Sequence, residues 1–284
     1  MPAKYINNLI IYAGAYLPML KTISRVLLGN ILSLFPVLTV GAEEIKVAVA
    51  ANFAPLMQAL IPDFKAKYPS AEIILISGSS GKLYAQIVHG APYDILLSAD
   101  QEKPILLVNE GLAIADSRFT YARGQVVLWS RHPALIQSGE TVLLNGNFNK
   151  LAIANSRLAP YGKAAEQVLS KLNLLQFTRN KWVQGENIAQ TFQFVETGNA
   201  DLGFVAKSQI WREGRLSHGS VWLIPDDWYL PINQDAVLLR RSQLKTHAVL
   251  LLDFLKQPQV RAKIASFGYQ PLVDEASIER DNSD

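Results

Sequence analysis

Four short segments of the chain place small or polar residues where an apolar run gives way to a helix-forming one. They are Ala51-Asn52-Phe53, Ser79-Ser80-Gly81, Pro160-Tyr161-Gly162 and Glu186-Asn187-Ile188. The first turn of a helix leaves backbone N–H groups without partners and carries partial positive charge. An anion can be held there by backbone donors, with no Lys or Arg. The Ser80 hydroxyl and the Asn52 amide add side-chain donors. Four such turns converging in one cleft can wrap a small tetrahedral oxyanion, each bond to the charged guest contributing about 1.5–3 kcal/mol. Taken singly, each turn also reads as an ordinary cap, because Ser and Asn stabilise helix starts by themselves. The binding reading rests on several turns meeting from two halves of the chain.

Other chemistries fit less well. The chain has no cysteine, so disulfides, thiolate metal sites and cysteine nucleophiles are excluded. His89, His132, His218 and His247 are scattered, with no metal-ligand spacing. Gly78-Ser79-Ser80-Gly81-Lys82 has two residues between its glycines and Leu83 after the lysine, whereas a P-loop needs four and then Ser or Thr. Ser79 and Lys82 have Ser-x-x-Lys spacing, the one opening for a secreted serine hydrolase, but no Ser-Asp-Asn or Lys-Thr-Gly follows. No catalytic residue and no cofactor are expected. Residues 1–42 carry Lys4, Lys21 and Arg25 and no acid, and without them the net charge of +3 falls to a balance of bases and acids. That balance does not suit nucleic acid.

The elements that would position these turns alternate. Ile45 to Ala50, Ala71 to Ile76 and Tyr93 to Ser98 read as strands, as do Val126 to Ser130, Leu151 to Ala154, Leu202 to Val205, Ser220 to Ile224 and Ala236 to Leu239. Asn52 is placed to cap a helix whose Phe53, Leu56, Met57, Leu60 and Phe64 share one face, with Pro62 as a possible kink. Gly162 to Leu172, Ile188 to Glu196, Ala248 to Leu255 and Pro258 to Phe267 read as further helices, and Asp100 as the cap of another. The fold class is α/β: two lobes of mixed, largely parallel sheet flanked by helices and joined by two crossing segments. Phe119 to Gln125 and Pro231 to Asp235 are the expected crossings, giving a discontinuous lobe of 43–122 plus 234–284 and a second of 123–233. A ligand would sit between them, at the carboxyl ends of the strands.

Lys21 and Arg25 precede the apolar run from Val26 to Leu38, which ends in Val40-Gly41-Ala42. This is the pattern of a secretory signal peptide, with cleavage expected after Ala42. Met19 would give such a peptide ordinary length, so the expected start is Met19 and residues 1–18 are an upstream extension.

From residue 43 on, the chain resembles the periplasmic molybdate-binding proteins of ABC transporters, across nearly its whole length. The resemblance is carried by Val47 to Asn52, Gly78-Ser79-Ser80-Gly81-Lys82-Leu83 and Gly90-Ala91-Pro92-Tyr93-Asp94 running on to Ser98-Ala99-Asp100. Leu158 to Gly162, Gly185 to Ile188 and Asp201 to Val205 add to it. It implies a type II periplasmic-binding-protein fold and a ligand set of Asn52 through side chain and N–H, Ser80 through hydroxyl and N–H, and Tyr161 and Ile188 through N–H, with Ala51 adjacent. These residues would meet the metal only as molybdate, through its oxygens. Asp100 is implied to be structural. Some members carry a ligand tyrosine where this chain has Ala206, a donor that Asn52 is expected to replace. The implied partners are molybdate or tungstate and a membrane permease that recognises the closed form, with the protein a monomer. Sulfate or phosphate remain the alternative guests; molybdate and tungstate, having longer bonds, suit a larger fixed cage. Trp182 is the tryptophan nearest the site in sequence and the expected reporter of closure.

Overall fold

The computed structural model describes residues 43–272, and the signal-peptide and start-site expectations lie outside them. In chain order the main elements are β1 (Glu43–Ala50), α1 (Ala54–Lys67), β2 (Ala71–Gly78), α2 (Ser80–Val88), β3 (Ile95–Leu97) and α3 (Glu102–Asn109). There follow β4 (Phe119–Gly124), β5 (Val126–Ser130), β6 (Leu151–Ala154), α4 (Pro160–Lys171), β7 (Trp182–Gly185), α5 (Ile188–Glu196) and β8 (Leu202–Ala206). The last are β9 (Ser220–Leu223), β10 (Ile232–Leu238), α6 (Thr246–Leu255) and α7 (Pro258–Ser266). A small two-stranded hairpin, Trp211–Arg212 with Arg215–Leu216, and several single helical turns complete the described residues.

Two five-stranded sheets carry the architecture. The first has the order β2-β1-β3-β10-β4 and the second β9-β5-β8-β6-β7. Each is mixed: β2, β1 and β3 run parallel, as do β8, β6 and β7, while β10 and β4, and β9 and β5, supply the antiparallel pairings. The antiparallel strands are those at or beside the passage from one sheet to the other. Only Gln125 separates β4 from β5, so one extended run passes between sheets, and β10 returns beside it with Ile232 opposite Gly124 and Gln234 opposite Ala122. The crossing segments therefore form strands rather than open linkers. The most buried of their charged residues is paired inside: Asp235 is fully buried and bonded by Arg118, Thr120 and Gln101.

Phe53, Leu56, Met57, Leu60 and Phe64 line up on the buried face of α1 and pack with Val47, Val49 and Leu97 under the first sheet. Asn52 does not cap this helix. Phe53 takes the capping position with no side-chain bond, and the Asn52 amide points elsewhere. Pro62 sits inside α1 on its exposed side, where the carbonyl of the exposed Gln58 left without a donor can turn to water. The helix runs on past it to Lys67. Gln101, not Asp100, takes the capping position of α3, and Asp100 just before it accepts the Lys103 N–H at 2.9 Å and so still orders the helix start. In the second half, Leu128, Ile153, Leu169 and Phe204 form the centre of another cluster. Ala50, Ala51 and Ala99, from strand ends of the first sheet, pack into that same cluster, so the two halves are in contact at the strand ends.

Candidate functional site

The parallel strands β1 and β2 of the first sheet, and β6 and β7 of the second, each lead through a short turn into a helix. Their carboxyl ends face one small, tightly closed cavity. Ala51, Asn52, Ser79, Ser80, Ala99, Tyr161, Asn187 and Ile188 are among its lining residues, and no Lys, Arg, His, Asp or Glu is. The structure thus brings Asn52, Ser80, Tyr161, Ile188 and Ala51 together. Asn52, Ser80, Tyr161 and Ile188 are at most 3% exposed.

Ser80 and Ile188 open α2 and α5, and Tyr161 is the second residue of α4, so none has a helical carbonyl to bond its N–H. Asn52 lies in the turn between β1 and α1. None of these four N–H groups has a backbone acceptor among the described residues. Buried N–H groups without acceptors are rare, and four on residues that line one cavity from both sheets describe a place for an acceptor-rich guest. Local chemistry holds the donors in position. Asn187 Oδ1 accepts the Gln190 N–H at 3.0 Å, capping α5, and Gln190 Oε1 accepts the Glu186 N–H at 2.7 Å. The Ser80 hydroxyl accepts the Ala99 N–H at 2.8 Å, which leaves its own proton to donate.

Three expected contributions differ. Ala51 forms wall only, because its N–H is engaged with the Gly78 carbonyl at 2.9 Å, continuing the β1–β2 ladder. The Asn52 amide donates to Gln234 Oε1 at 2.9 Å and to the Tyr269 hydroxyl at 3.0 Å, and its unpartnered atom is Oδ1, an acceptor. Trp182 stands at the start of β7, three residues back from Gly185 at the strand's cavity end, and does not line the cavity. Ser79 is a site residue that spacing did not single out from Ser80. It is 4% exposed, lines the cavity, and its hydroxyl has no partner. Ala206 closes β8 and lies outside the cavity lining.

The serine-hydrolase arrangement is not assembled. Lys82 pairs with Glu186 at 3.1 Å on the surface rather than with Ser79, and no base bonds either serine. That Lys82–Glu186 pair joins the two halves, but both side chains are exposed and such pairs contribute little. No group of His, Asp and Glu suited to a metal ion occurs among the described residues. A wider, open groove adjoins the cavity and shares Ala99, Ala159 and Pro160 with it. It is lined by Asp100, Glu102 and Glu166 as well as Lys103, Arg157 and Lys163, and its acids oppose a dianion where the neutral cavity does not.

The halves touch closely here. Gly81 donates its N–H to the Leu158 carbonyl at 3.0 Å, and a Cβ on Gly81 would lie 3.1 Å from Leu158 Cα. Gly81→Ala should therefore hold the halves apart by a few tenths of an ångström. We expect a loss of oxyanion affinity of roughly tenfold, about 1.4 kcal/mol, with an unchanged melting temperature for the ligand-free protein. Isothermal titration beside a thermal melt checks this.

Residues 45–270 match the family model described as bacterial extracellular solute-binding protein. The chain belongs to this family. Within it, this solute-binding protein is 46% identical over 228 residues to the molybdate-binding protein ModA of Azotobacter vinelandii, covering 80% of this chain and 90% of that one. It is 42% identical to the ModA of Rhodobacter capsulatus, covering 82% and 90%. A solved periplasmic molybdate-binding protein of A. vinelandii superposes with a TM-score of 0.78 at 39% identity, covering 81% of this chain and all of that one. A sulfate-binding protein, SubI of Mycobacterium tuberculosis, matches with a TM-score of 0.66 at 15% identity, a likeness of fold alone. The two-sheet α/β architecture of this solute-binding protein is that of the solved molybdate-binding protein.

Proposed function

We propose that this solute-binding protein captures molybdate, and tungstate with it, in the cavity between its two halves and delivers the anion to the permease of an ABC transporter. The observation that carries the reading is the set of four N–H groups without backbone acceptors, on buried residues of both halves that line one uncharged cavity. A doubly negative tetrahedral oxyanion supplies enough acceptors to satisfy all four. Because the donors come from both halves, the guest favours the form in which they meet, and residues 43–122 plus 234–284 close on 123–233 as lobes. The closed shape is the signal for the permease. The ModA relatives at 42–46% identity support molybdate over other oxyanions. Selection against sulfate rests on the fixed distance between opposed helix starts, since sulfate has the same charge and shape but shorter bonds. The protein acts as a monomer in the periplasm after removal of its leader at Ala42.

Thermal melts with each oxyanion test the assignment. At a hundredfold excess over Kd a bound anion stabilises the fold by about 2.7 kcal/mol, which raises Tm by roughly 5–11 °C for a chain of this size. Molybdate and tungstate should each produce that rise, and sulfate and phosphate should not. A larger rise with sulfate or phosphate would overturn the assignment.

Ser80→Ala removes one hydroxyl donor to the guest, at a cost of about 1.5–3 kcal/mol, roughly 10- to 150-fold in Kd. It also leaves the Ala99 N–H without its acceptor, so the variant should melt slightly lower as well. Titration with molybdate checks the first effect and a melt of the free protein the second.

A further inference from the structure

Behind the cavity lies a buried polar network that spans both halves. Gln234, fully buried on β10, accepts from the Asn52 amide through Oε1 and donates through Nε2 to the Tyr161 hydroxyl at 3.1 Å. The Tyr121 hydroxyl contacts both the Ser98 carbonyl at 3.0 Å and Gln234 Oε1 at 3.1 Å, and its single proton serves one of them. Tyr269 donates to the Asn52 carbonyl at 3.0 Å. The network sits flush against the crossing strand: a Cβ on Gly124 would fall 2.1 Å from the Tyr161 hydroxyl and 2.6 Å from Gln234 Nε2.

In this arrangement Asn52 Oδ1 has no partner and the Tyr161 proton has no acceptor among the described residues. An acceptor turned toward an anion's oxygens repels them. A half-turn of both amides about their last side-chain bonds exchanges oxygen and nitrogen in place, and every bond is then accounted for. Gln234 Oε1 takes the Tyr161 proton. Gln234 Nε2 donates to Asn52 Oδ1 and to the Tyr121 oxygen, whose own proton stays on Ser98. The Tyr269 proton passes from the Asn52 carbonyl to Asn52 Oδ1, and the Ser208 hydroxyl, 3.3 Å from that carbonyl, remains its donor. Burial pushes the hydroxyls of Tyr121, Tyr161 and Tyr269 far above their ordinary range, so each remains both donor and acceptor. The one group left over is Asn52 Nδ2, a donor, which the anion satisfies.

We propose that Gln234 is a positioning residue for the oxyanion site: anchored by Tyr161 and Tyr121, its amide holds the Asn52 amide in the fully satisfied arrangement, with Nδ2 at the cavity wall. This rests on the oxyanion reading of the site. It links the donor set to the crossing strand that joins the halves.

A double-mutant cycle tests it, with tungstate titrated calorimetrically into the parent, Asn52→Ala, Gln234→Leu and the double variant. Gln234→Leu cannot donate to Asn52 Oδ1, so nothing holds Asn52 Nδ2 toward the anion. Each single change should weaken binding about tenfold, the size of one donor to a charged group, and the double should be no more than about threefold weaker than the poorer single. A purely structural Gln234 would lower the melting temperature of the free protein without coupling to Asn52. Effects that multiply in full, or a Gln234→Leu protein that binds as the parent does, would overturn the proposal and leave the oxyanion reading intact. A parent that binds neither tungstate nor molybdate would remove the reading and this inference together. Should Gln234→Leu fail to fold, Tyr161→Phe replaces it, since that change deletes the proton favouring the turned arrangement, and the same coupling with Asn52 is expected.

Discussion

Replacing Ile188 by proline should cost this protein most of its affinity for molybdate while leaving it folded. Ile188 is the first residue of α5, where proline is well tolerated because the N–H it lacks has no helical partner. The preceding Asn187 is extended, at φ −146° and ψ 173°, a conformation suited to the residue before proline. The substitution therefore removes one backbone donor from the cavity and little else of the backbone. A bond from that donor to a charged oxygen is worth about 1.5–3 kcal/mol, so Kd should rise roughly 10- to 150-fold. Proline also trims a side chain that is 3% exposed. Ile188→Ala trims it too and keeps the N–H, so it is the control. Calorimetry should find Ile188→Ala within a few-fold of the parent and Ile188→Pro far weaker. Equal affinities for the two would mean that this N–H does not touch the guest.

Gly162→Ala should act on the fold itself. Gly162 lies in the first turn of α4, packed against the end of β6, and a Cβ there would fall 2.3 Å from the Ala154 carbonyl oxygen and 2.9 Å from the Ser156 nitrogen. Those atoms are backbone and cannot swing aside. The helix must lift from the sheet, at a cost at the upper end of the 1–3 kcal/mol typical of overpacking. A loss of about 3 kcal/mol lowers Tm by roughly 6–12 °C. Lifting α4 also withdraws the neighbouring Tyr161 N–H from the cavity, so oxyanion affinity should fall together with stability. Thermal melts and titrations on the same preparation measure both. A variant with the parent's Tm would show that the helix start has slack, and would weaken the view that Tyr161 is held rigidly.

Much of this arrangement is legible in the residues. The branched apolar runs at Ile45 to Ala50 and Leu151 to Ala154 become strands, and the face of Phe53, Leu56, Met57, Leu60 and Phe64 is buried as a unit. Four turns with the same design lie on one cavity because parallel strands of two sheets end there. What could not be read is where individual donors go. Ala51 and Asn52 are adjacent, yet one N–H continues a ladder to Gly78 and the other is free, a difference set by where β2 ends rather than by either residue. The partners of the Asn52 amide, Gln234 and Tyr269, are 182 and 217 residues away. Gln234 itself lies in a polar stretch with the look of a linker, and it becomes strand only because the other crossing segment lies beside it. Ser79 and Ser80 are indistinguishable by type. The start of α2 separates them, giving Ser80 an acceptor role toward Ala99 and leaving the Ser79 hydroxyl unpartnered.

Tungstate offers the most direct test, because tungsten scatters anomalously and its position can be read without interpretation of shape. In crystals of this protein grown with tungstate, a single peak should lie in the cavity between the two sheets, with the N–H groups of Asn52, Ser80, Tyr161 and Ile188 at about 2.7–3.2 Å from its oxygens. Lysine and arginine should be absent from its surroundings. A peak in the adjoining groove beside Lys103 or Lys163, or an anion gripped by any cationic side chain, would contradict capture by neutral donors from both halves.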